Sequence, residues 1–360
     1  MNTLKRKKAD EDTKLQAKKG GCLFPFLIFF IALIIVSIIA ILFVAKNKLN
    51  SIKTYELNKE EVITQGNDEN MKNYQVIALF GVDAQDSNMT ASGTNSDTII
   101  LMSINKKTKE VKLLSIYRDT YVSINGHYTK INNAYATGGP ELAISTINRN
   151  LDLQVTDFVT VSFKIMADLV DALGGVTLTI DTEKELQNLN DYITNMNTLN
   201  GGSSPHFDST GTFEFDGNQA VAYSRIRYME GGDHKRASHQ RELIQAIMKQ
   251  AVKRPQQLVS VLNSVLPQIS TSFTSDEILQ LGMEFPRYKI KESEGFPFES
   301  EDIRYKGIYY GFPLTLKSNV VKAHEFLFGT KDYQVSEELS TISGKIEVAT
   351  EDAYQNAPSE

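Results

Sequence analysis

The chain is predicted to be an α/β protein, a mixed central β-sheet flanked by helices and preceded by one transmembrane helix. Three observations predict it. Residues 23–45 hold no charged side chain and are mostly Ile, Leu, Phe and Val, apolar on every face as a soluble core helix rarely is. After them, apolar runs of strand length alternate with segments whose apolar residues recur at helical spacing. Gly174-Gly175 and the polar turn at 105–109 punctuate the two kinds of segment. Such alternation is the pattern of helices packed on a sheet.

Residues 1–22 form a basic segment, with seven Lys or Arg against Asp10, Glu11 and Asp12. At about 1.5 Å per residue the apolar run that follows can cross a hydrocarbon core of roughly 30 Å. Lys46, Lys48 and Lys53 beyond it are diluted by Glu56, Glu60 and Glu61. The basic bias therefore puts the N-terminus in the cytoplasm and the remainder outside, as a single-pass type II cell-membrane protein. Val44-Ala45-Lys46 is a poor signal-peptidase exit, so the anchor is expected to stay uncleaved.

The whole chain is formally −6; residues 1–45 carry seven positive and three negative groups, which leaves −10 for the exported part. That balance argues against a general polyanion binder and against nucleic acid as a partner. Cys22, the only cysteine, sits at the cytoplasmic edge of the anchor, so no disulfide can form outside. An exported domain of this size without disulfides suggests a bacterial exterior.

Residues 46–72 are polar and read as a stalk, and a folded domain is expected over 73–330. Apolar runs at 74–80, 98–104, 111–116, 155–163 and 176–180 are its first strands, the second and third joined as a hairpin. Residues 140–151 and 164–173 are helices by spacing, the latter closed by the glycine pair. Residues 188–209 are polar and Gly/Ser-rich and read as a mobile surface loop. Helices are expected at 216–222, 237–253, 255–266 and 275–283, the last announced by the capping-box pattern at Thr274 and Glu277. A strand or two should lie between 288 and 312 and a helix at 318–328. Beyond Lys331 the chain is acidic and poor in large apolar groups, the composition of a mobile tail.

The charged groups suggest an anion site. Arg118 follows the 111–116 strand and can reach a cleft at its end. Arg225 and Arg227 project to one side only if 224–228 is extended, since residues two apart in a helix point about 200° from each other. Arg236 and Gln240 lie one helical turn apart, in a stripe continued by Ile244 and Ile247 or Met248, which sets a guanidinium and an amide at the mouth of an apolar interior. A guanidinium binds phosphate oxygens bidentately and keeps its charge. Singly, each arginine is better explained by a surface ion pair with Asp119, Glu230 or Asp233; Arg225, Arg227 and Arg236 together, beside Gly231-Gly232, favour a phosphate site. Asp83 and Asp97 adjoin strands, where a carboxylate either caps a turn or holds a hard cation such as Mg²⁺.

Six segments occur in order: Phe80-Gly81-Val82-Asp83, Ser96-Asp97-Thr98, the run from Leu114 through Tyr117-Arg118-Asp119-Thr120, Lys130-Ile131-Asn132 with Ala134-Tyr135, Gly174-Gly175-Val176, and Asp216-Gly217 with Ala220 and Tyr223-Ser224-Arg225-Ile226-Arg227. Together they resemble the LytR-CpsA-Psr family of bacterial cell-envelope proteins, over about half the chain. The resemblance implies an α/β/α sandwich. It also implies a phosphotransferase that moves an anionic glycopolymer, such as wall teichoic acid or capsule, from an undecaprenyl pyrophosphate carrier to a peptidoglycan hydroxyl, and it allows a pyrophosphatase activity on the carrier. By the same resemblance Arg118, Arg225, Arg227 and Arg236 bind the pyrophosphate, with His239 and Gln240 on the same helix. Asp83 and Asp97 hold Mg²⁺ or Mn²⁺. Arg118, Asp97 and Asp119 are the catalytic set, with either carboxylate open as the base. The polyprenyl tail would lie in an apolar pocket that 158–173 and 243–266 have enough apolar surface to line.

The chain departs from the family pattern at two positions, with Asn95 and His239 where arginine is common. His239 would supply positive charge only when protonated, which predicts donor binding that strengthens as pH falls. A noncatalytic envelope-binding, scaffold or regulatory protein is the rival reading. A serine hydrolase and a zinc protease lack their motifs here.

Overall fold

The computed structural model describes residues 54–58, 62–83, 89, 93–227 and 231–355. The basic segment and the expected anchor at 23–45 lie outside the described residues. Among the described residues no helix is long and apolar enough to cross a membrane.

Twelve strands occur among the described residues: β1 (Tyr74–Val82), β2 (Ser96–Asn105), β3 (Glu110–Ile116), β4 (Tyr121–Ile124), β5 (His127–Lys130), β6 (Asp157–Ser162), β7 (Val176–Ile180), β8 (Gly211–Phe215), β9 (Ser270–Thr271), β10 (Lys289–Phe296), β11 (Ser300–Tyr305) and β12 (Ile308–Pro313). Six form the central sheet in the order β10-β3-β2-β1-β6-β9; the other six pair as β4-β5, β7-β8 and β11-β12. β2 is antiparallel to β1 and β3, whereas β6 runs parallel to β1 and β10 parallel to β3. The carboxyl ends of β1, β3, β6 and β10 therefore share one edge, where β2 begins. The expected mixed α/β sheet is present.

The helices are α1 (Asn132–Leu151), α2 (Phe163–Ala172), α3 (Glu183–Asn200), α4 (Gly217–Arg225), α5 (Gly232–Lys253), α6 (Leu258–Ser264), α7 (Ser275–Glu284), α8 (Leu316–Phe328) and α9 (Glu337–Gln355). The central strands are apolar on both faces because both are covered. Phe80, Leu101, Leu114 and Phe158 share a core with α1, α8 and α9. On the other face Ile77, Ile100 and Leu113 meet Ile244 of α5 and Ile278 and Leu281 of α7. A third cluster joins α2, α3, α4 and the β7-β8 ribbon.

Three expectations change. Residues 188–209 are not one loop, for α3 runs to Asn200 with Leu186, Leu189, Ile193 and Met196 buried and Thr182 as its N-cap. Their spacing was helical, but Asn-rich composition hid it. Of the expected tail at 331–360, the described part to 355 is not free, since α9 buries Leu339, Ile342, Ile346 and Ala353. Arg149 Nη2 holds Glu338 at 2.5 Å. The latter part of the stalk belongs to the domain too, with Val62 and Met71 in the core. There Asp68 is buried against His324 Nδ1 at 2.9 Å.

Candidate active site

The site begins with an irregularity. Gly81 pairs with Thr98 and Val82 with Ser96, so Asp97 is one residue too many for its partner strand. An extra residue of this kind is a β-bulge, which bends the strand and re-aims its side chain. Gly81 is required opposite it, because a Cβ there would lie 2.8 Å from Thr98 Cβ.

Arg118, just beyond the end of β3, donates from Nη1 to Asp97 Oδ1 at 2.7 Å. Arg227 Nη2 reaches Asp97 Oδ2 at 3.4 Å. Arg236 Nη2 lies 3.4 Å from the Asp97 carbonyl oxygen and donates to Asp233 Oδ2 at 2.7 Å. Asp233 stands in the first turn of α5, where the helix dipole favours an anion. Arg225 Nη2 is 4.0 Å from Asp83 Oδ2, and its guanidinium lies 4.3 Å over the Phe163 ring. The structure thus brings Asp83, Asp97, Arg118, Arg225, Arg227 and Arg236 together at the edge where four strands end.

Arg225 and Arg227 arrive differently from the expected extended clamp. Arg225 is the last residue of α4, and Ile226 breaks the helix with φ −57° and ψ 126°. A capping box between Asp216 and Gln219 starts that helix. Gly217 lets α4 approach α2, for a Cβ there would be 2.3 Å from the Ala167 carbonyl oxygen.

Two neighbours escaped the sequence reading as site residues. Lys130 Nζ binds Asp119 Oδ1 at 2.7 Å, while Asp119 Oδ2 is 3.7 Å from Arg118 Nε. Lys130 gets there because β4 and β5 fold back about Asn125-Gly126, both at positive φ, pairing Tyr121 with Lys130. An Asn-Gly turn between strand-forming residues is a strong hairpin signal, and it was the clue available. Asp233, read only as an ion-pair partner, links Arg236 to Arg118 Nε at 3.5 Å.

Burial would raise the Asp97 carboxyl, but the hydrogen bond and charge of Arg118, backed by Arg236 and Arg227, outweigh it and hold Asp97 below the usual carboxylate range. Burial pushes the Arg236 guanidinium down to about 10, against the charge of Asp233. Arg118 Nε, Arg236 Nε and Ser96 Oγ are buried without a hydrogen-bond partner. Such donors are costly unless a ligand completes them.

His239 is a correction. Its side chain is fully buried, with Nε2 2.9 Å from the equally buried Glu185 Oε1 and its ring 4.3 Å from that of Tyr223. The contact has ion-pair length without hydrogen-bond alignment. Three residues along α5 from Arg236, His239 turns away from the arginines into the α3–α4 core. Asn95 is exposed beside the bulge.

Beneath the arginines lies a cavity of about 210 Å³. Leu79, Ile100 and Val159 of the sheet, Met166 and Leu169 of α2, and Leu243, Ile244, Ile247 and Met248 of α5 line it. Thr98, Phe163, Ser224 and Gln240 line it too, and three of these are sequence or contact neighbours of Asp97 and Arg225. Gln240 therefore faces the apolar interior.

The fold and site define an α/β protein with an arginine–carboxylate cluster over an apolar cavity. The chain belongs to the LytR_cpsA_psr family, whose model matches residues 39–325. It is 28% identical over 265 residues to the polyisoprenyl-teichoic acid–peptidoglycan teichoic acid transferase TagU of Enterococcus faecalis, covering 71% of this chain and 81% of that one. It is 31% identical over 239 residues to TagU of Halalkalibacterium halodurans, covering 65% and 72%. Among solved structures, the family protein YwtF (TagT) with bound octaprenyl pyrophosphate lipid matches with a TM-score of 0.55 at 25% identity, over 77% of this chain and all of that one.

Proposed function

We propose that this protein transfers an anionic glycopolymer from a polyprenyl pyrophosphate carrier to a hydroxyl of peptidoglycan at the outer face of the membrane. The observation that carries the reading is Asp97, bracketed by Arg118, Arg227 and Arg236 directly above an apolar cavity. Anionic phosphates belong among the guanidinium groups and a polyprenyl chain in the cavity. The transferase names of the relatives and the lipid held by the related structure support both halves.

Asp83 and Asp97 have the chemistry to hold Mg²⁺ or Mn²⁺. Both offer hard oxygen donors, Asp97 is kept ionised, and the Asp83 side chain is 62% exposed. No group of three or more His, Cys, Asp or Glu side chains that could hold a metal occurs among the described residues. Mg²⁺ needs no such cage, since it commonly uses one or two carboxylates plus substrate phosphates and water. Bound there, the metal would neutralise charge on the pyrophosphate.

In the proposed step the acceptor oxygen bonds to the sugar-side phosphorus, and the bond from that phosphorus to the bridging oxygen breaks. The bridging oxygen leaves with its electron pair on polyprenyl phosphate. Arg118 and Arg236, already fixed, stabilise the charge without reorganising. The hydroxyl proton passes to a carboxylate. Asp97 and Asp119 are the two candidates, each with a cation beside both of its oxygens. With water as acceptor the same site would act as a pyrophosphatase.

The test supplies the full chain with a synthetic polyprenyl pyrophosphate-linked saccharide and peptidoglycan, with and without Mg²⁺. Metal-dependent release of polyprenyl phosphate with the saccharide joined to peptidoglycan is expected. Binding of the donor with no turnover under any metal would instead favour the noncatalytic binding protein.

A further inference from the structure

Buried phenols elsewhere in the protein are satisfied. Tyr135 shares a hydrogen bond with Thr160 Oγ1 at 2.9 Å, and Tyr223 donates to Glu242 Oε2 at 2.5 Å. Tyr121 and Tyr310 differ. They are only 6% and 9% exposed, yet neither hydroxyl has a hydrogen-bond partner among the described residues, and neither is sealed from solvent. A buried tyrosine normally finds a partner, and a ring needed only for packing can be phenylalanine, as Phe312 is, 4.5 Å from Tyr121 between ring centres.

The two belong to a cluster of four tyrosines. In the β4-β5 hairpin Tyr121 pairs with Lys130, and Tyr128 stands two residues before Lys130, so all three share a face. In the β11-β12 hairpin Ile303 pairs with Tyr310, and Tyr305 stands two residues beyond Ile303, so Tyr305 and Tyr310 share one too. The two faces meet: the Tyr121 ring centre is 5.0 Å from that of Tyr310, 6.4 Å from Tyr305 and 5.9 Å from Tyr128. Burial and the phenols of Tyr305, Tyr310 and Tyr128 push the Tyr121 phenol up to about 12, which keeps it a donor.

The cluster adjoins the proposed reaction centre. Lys130 Nζ lies 5.8 Å from the centre of the Tyr310 ring and holds Asp119 Oδ1 at 2.7 Å. Gly311, next to Tyr310, donates from its backbone N to the Asp119 carbonyl oxygen at 2.9 Å. The parallel bridge between Thr120 and Gly311 sets those two residues on one face, and alternation puts Asp119, Tyr121 and Tyr310 together on the other.

The geometry points to a saccharide subsite in which Tyr121, Tyr128, Tyr305 and Tyr310 hold a sugar ring of the acceptor glycan with its attacking hydroxyl turned towards Asp119. Sugar hydroxyls both donate and accept, as phenols do, and the C–H faces of the ring pack on aromatic side chains. Phosphate belongs instead with the arginines, because Lys130, the cation beside the cluster, is already paired with Asp119. The inference rests on the transferase reading for which sugar binds, so its test reads binding apart from turnover.

The first arm measures, by calorimetry, binding of uncrosslinked peptidoglycan glycan fragments to the full chain. Tyr121→Phe and Tyr310→Phe should each weaken it about fivefold, and both together about tenfold or more. Tyr309→Phe, exposed on the other face of β12, should stay within about twofold. Affinity for a short-chain polyprenyl pyrophosphate should not change in any of them. No binding by the unsubstituted chain, parent affinity in the double variant, equal loss in Tyr309→Phe or an equal loss of lipid affinity overturns the subsite. Melting temperatures check the fold. Should a variant melt lower, hydroxyl-radical footprinting of the unsubstituted chain takes over: glycan should protect the half-buried Tyr128 and Tyr305 and leave Tyr309 labelled. Absence of that protection overturns the subsite equally.

The second arm reads turnover at saturating donor. The double variant should raise the peptidoglycan concentration for half-maximal transfer about tenfold, while the rate at saturating peptidoglycan stays within about twofold. Loss in the saturating rate alone would make the tyrosines supports of Asp119 and contradict the subsite. If the unsubstituted chain binds glycan in the expected pattern but transfers nothing, the transferase reading fails and the subsite stands.

Discussion

Arg118 Nη1 lies 2.7 Å from Asp97 Oδ1, joining the end of β3 to the bulge that opens β2. The pair holds the carboxylate and the guanidinium against each other before any ligand arrives. Arg118→Ala should leave the fold intact and cost about 10²- to 10³-fold in transfer, the usual price of one fixed charge-stabilising donor. Steady-state rates with circular dichroism as the fold control check this; transfer within about threefold of the parent would remove Arg118 from the mechanism.

Asp97 gives a stability prediction with a definite sign. Its folded-state pKa lies below the ordinary 3.8, so between those values the unfolded chain binds more protons than the folded one. The stabilisation is complete above the ordinary value and is lost as pH falls through the folded one. In Asp97→Asn that acid limb is missing, so its melting temperature should fall less than the parent's between about pH 4 and pH 2. The same variant should show a large loss of rate and weaker dependence on added Mg²⁺. Parent activity that survives chelation unchanged would rule out the Asp83 and Asp97 metal site.

The fold was largely legible because its central strands are nearly continuous apolar runs bounded by turns, and the sheet needs those runs on both faces. The arginine set was legible for a different reason: each member stands beside a strand end or a helix boundary, where short motifs carry geometry. What escaped was sparse or indirect. Helix α3 buries only five of its eighteen residues, Glu185 among them, and α9 is acidic outside and apolar inside, so composition pointed the wrong way at both. His239 could not be oriented from sequence, because on α5 the three-residue step from Arg236 is compatible with either side of the helix until α3 is known to pack there.

For His239 the expectation is now reversed. Donor affinity should not depend on it, since it meets Glu185 in the core and not the phosphates. His239→Ala would leave the buried Glu185 carboxylate with only the Asp181 amide as a hydrogen-bond partner and should destabilise the domain by about 3 kcal/mol. Chemical denaturation reads the loss, and donor affinity measured from about pH 5 to 8 reads the other half. A variant as stable as the parent with an altered pH profile would return His239 to the anion site.

Deletion of residues 331–360 should behave as the loss of a core layer. Leu339 and Ile346 are wholly buried, and Ile342 nearly so. Each large buried side chain contributes about 1.5 to 3 kcal/mol, so the truncated chain should melt markedly lower or fail to accumulate. An unchanged melting temperature would mean that α9 contributes no stability to the domain.

Which bond breaks is decided by isotopic labelling of the donor. A donor carrying ³²P at the sugar-side phosphorus is incubated with the full chain, Mg²⁺ and peptidoglycan, and a second donor carries the label at the lipid-side phosphorus. The first label is expected to appear in peptidoglycan and the second to stay with the extractable lipid. Both labels remaining with the lipid, or the lipid-side label entering peptidoglycan, would contradict it.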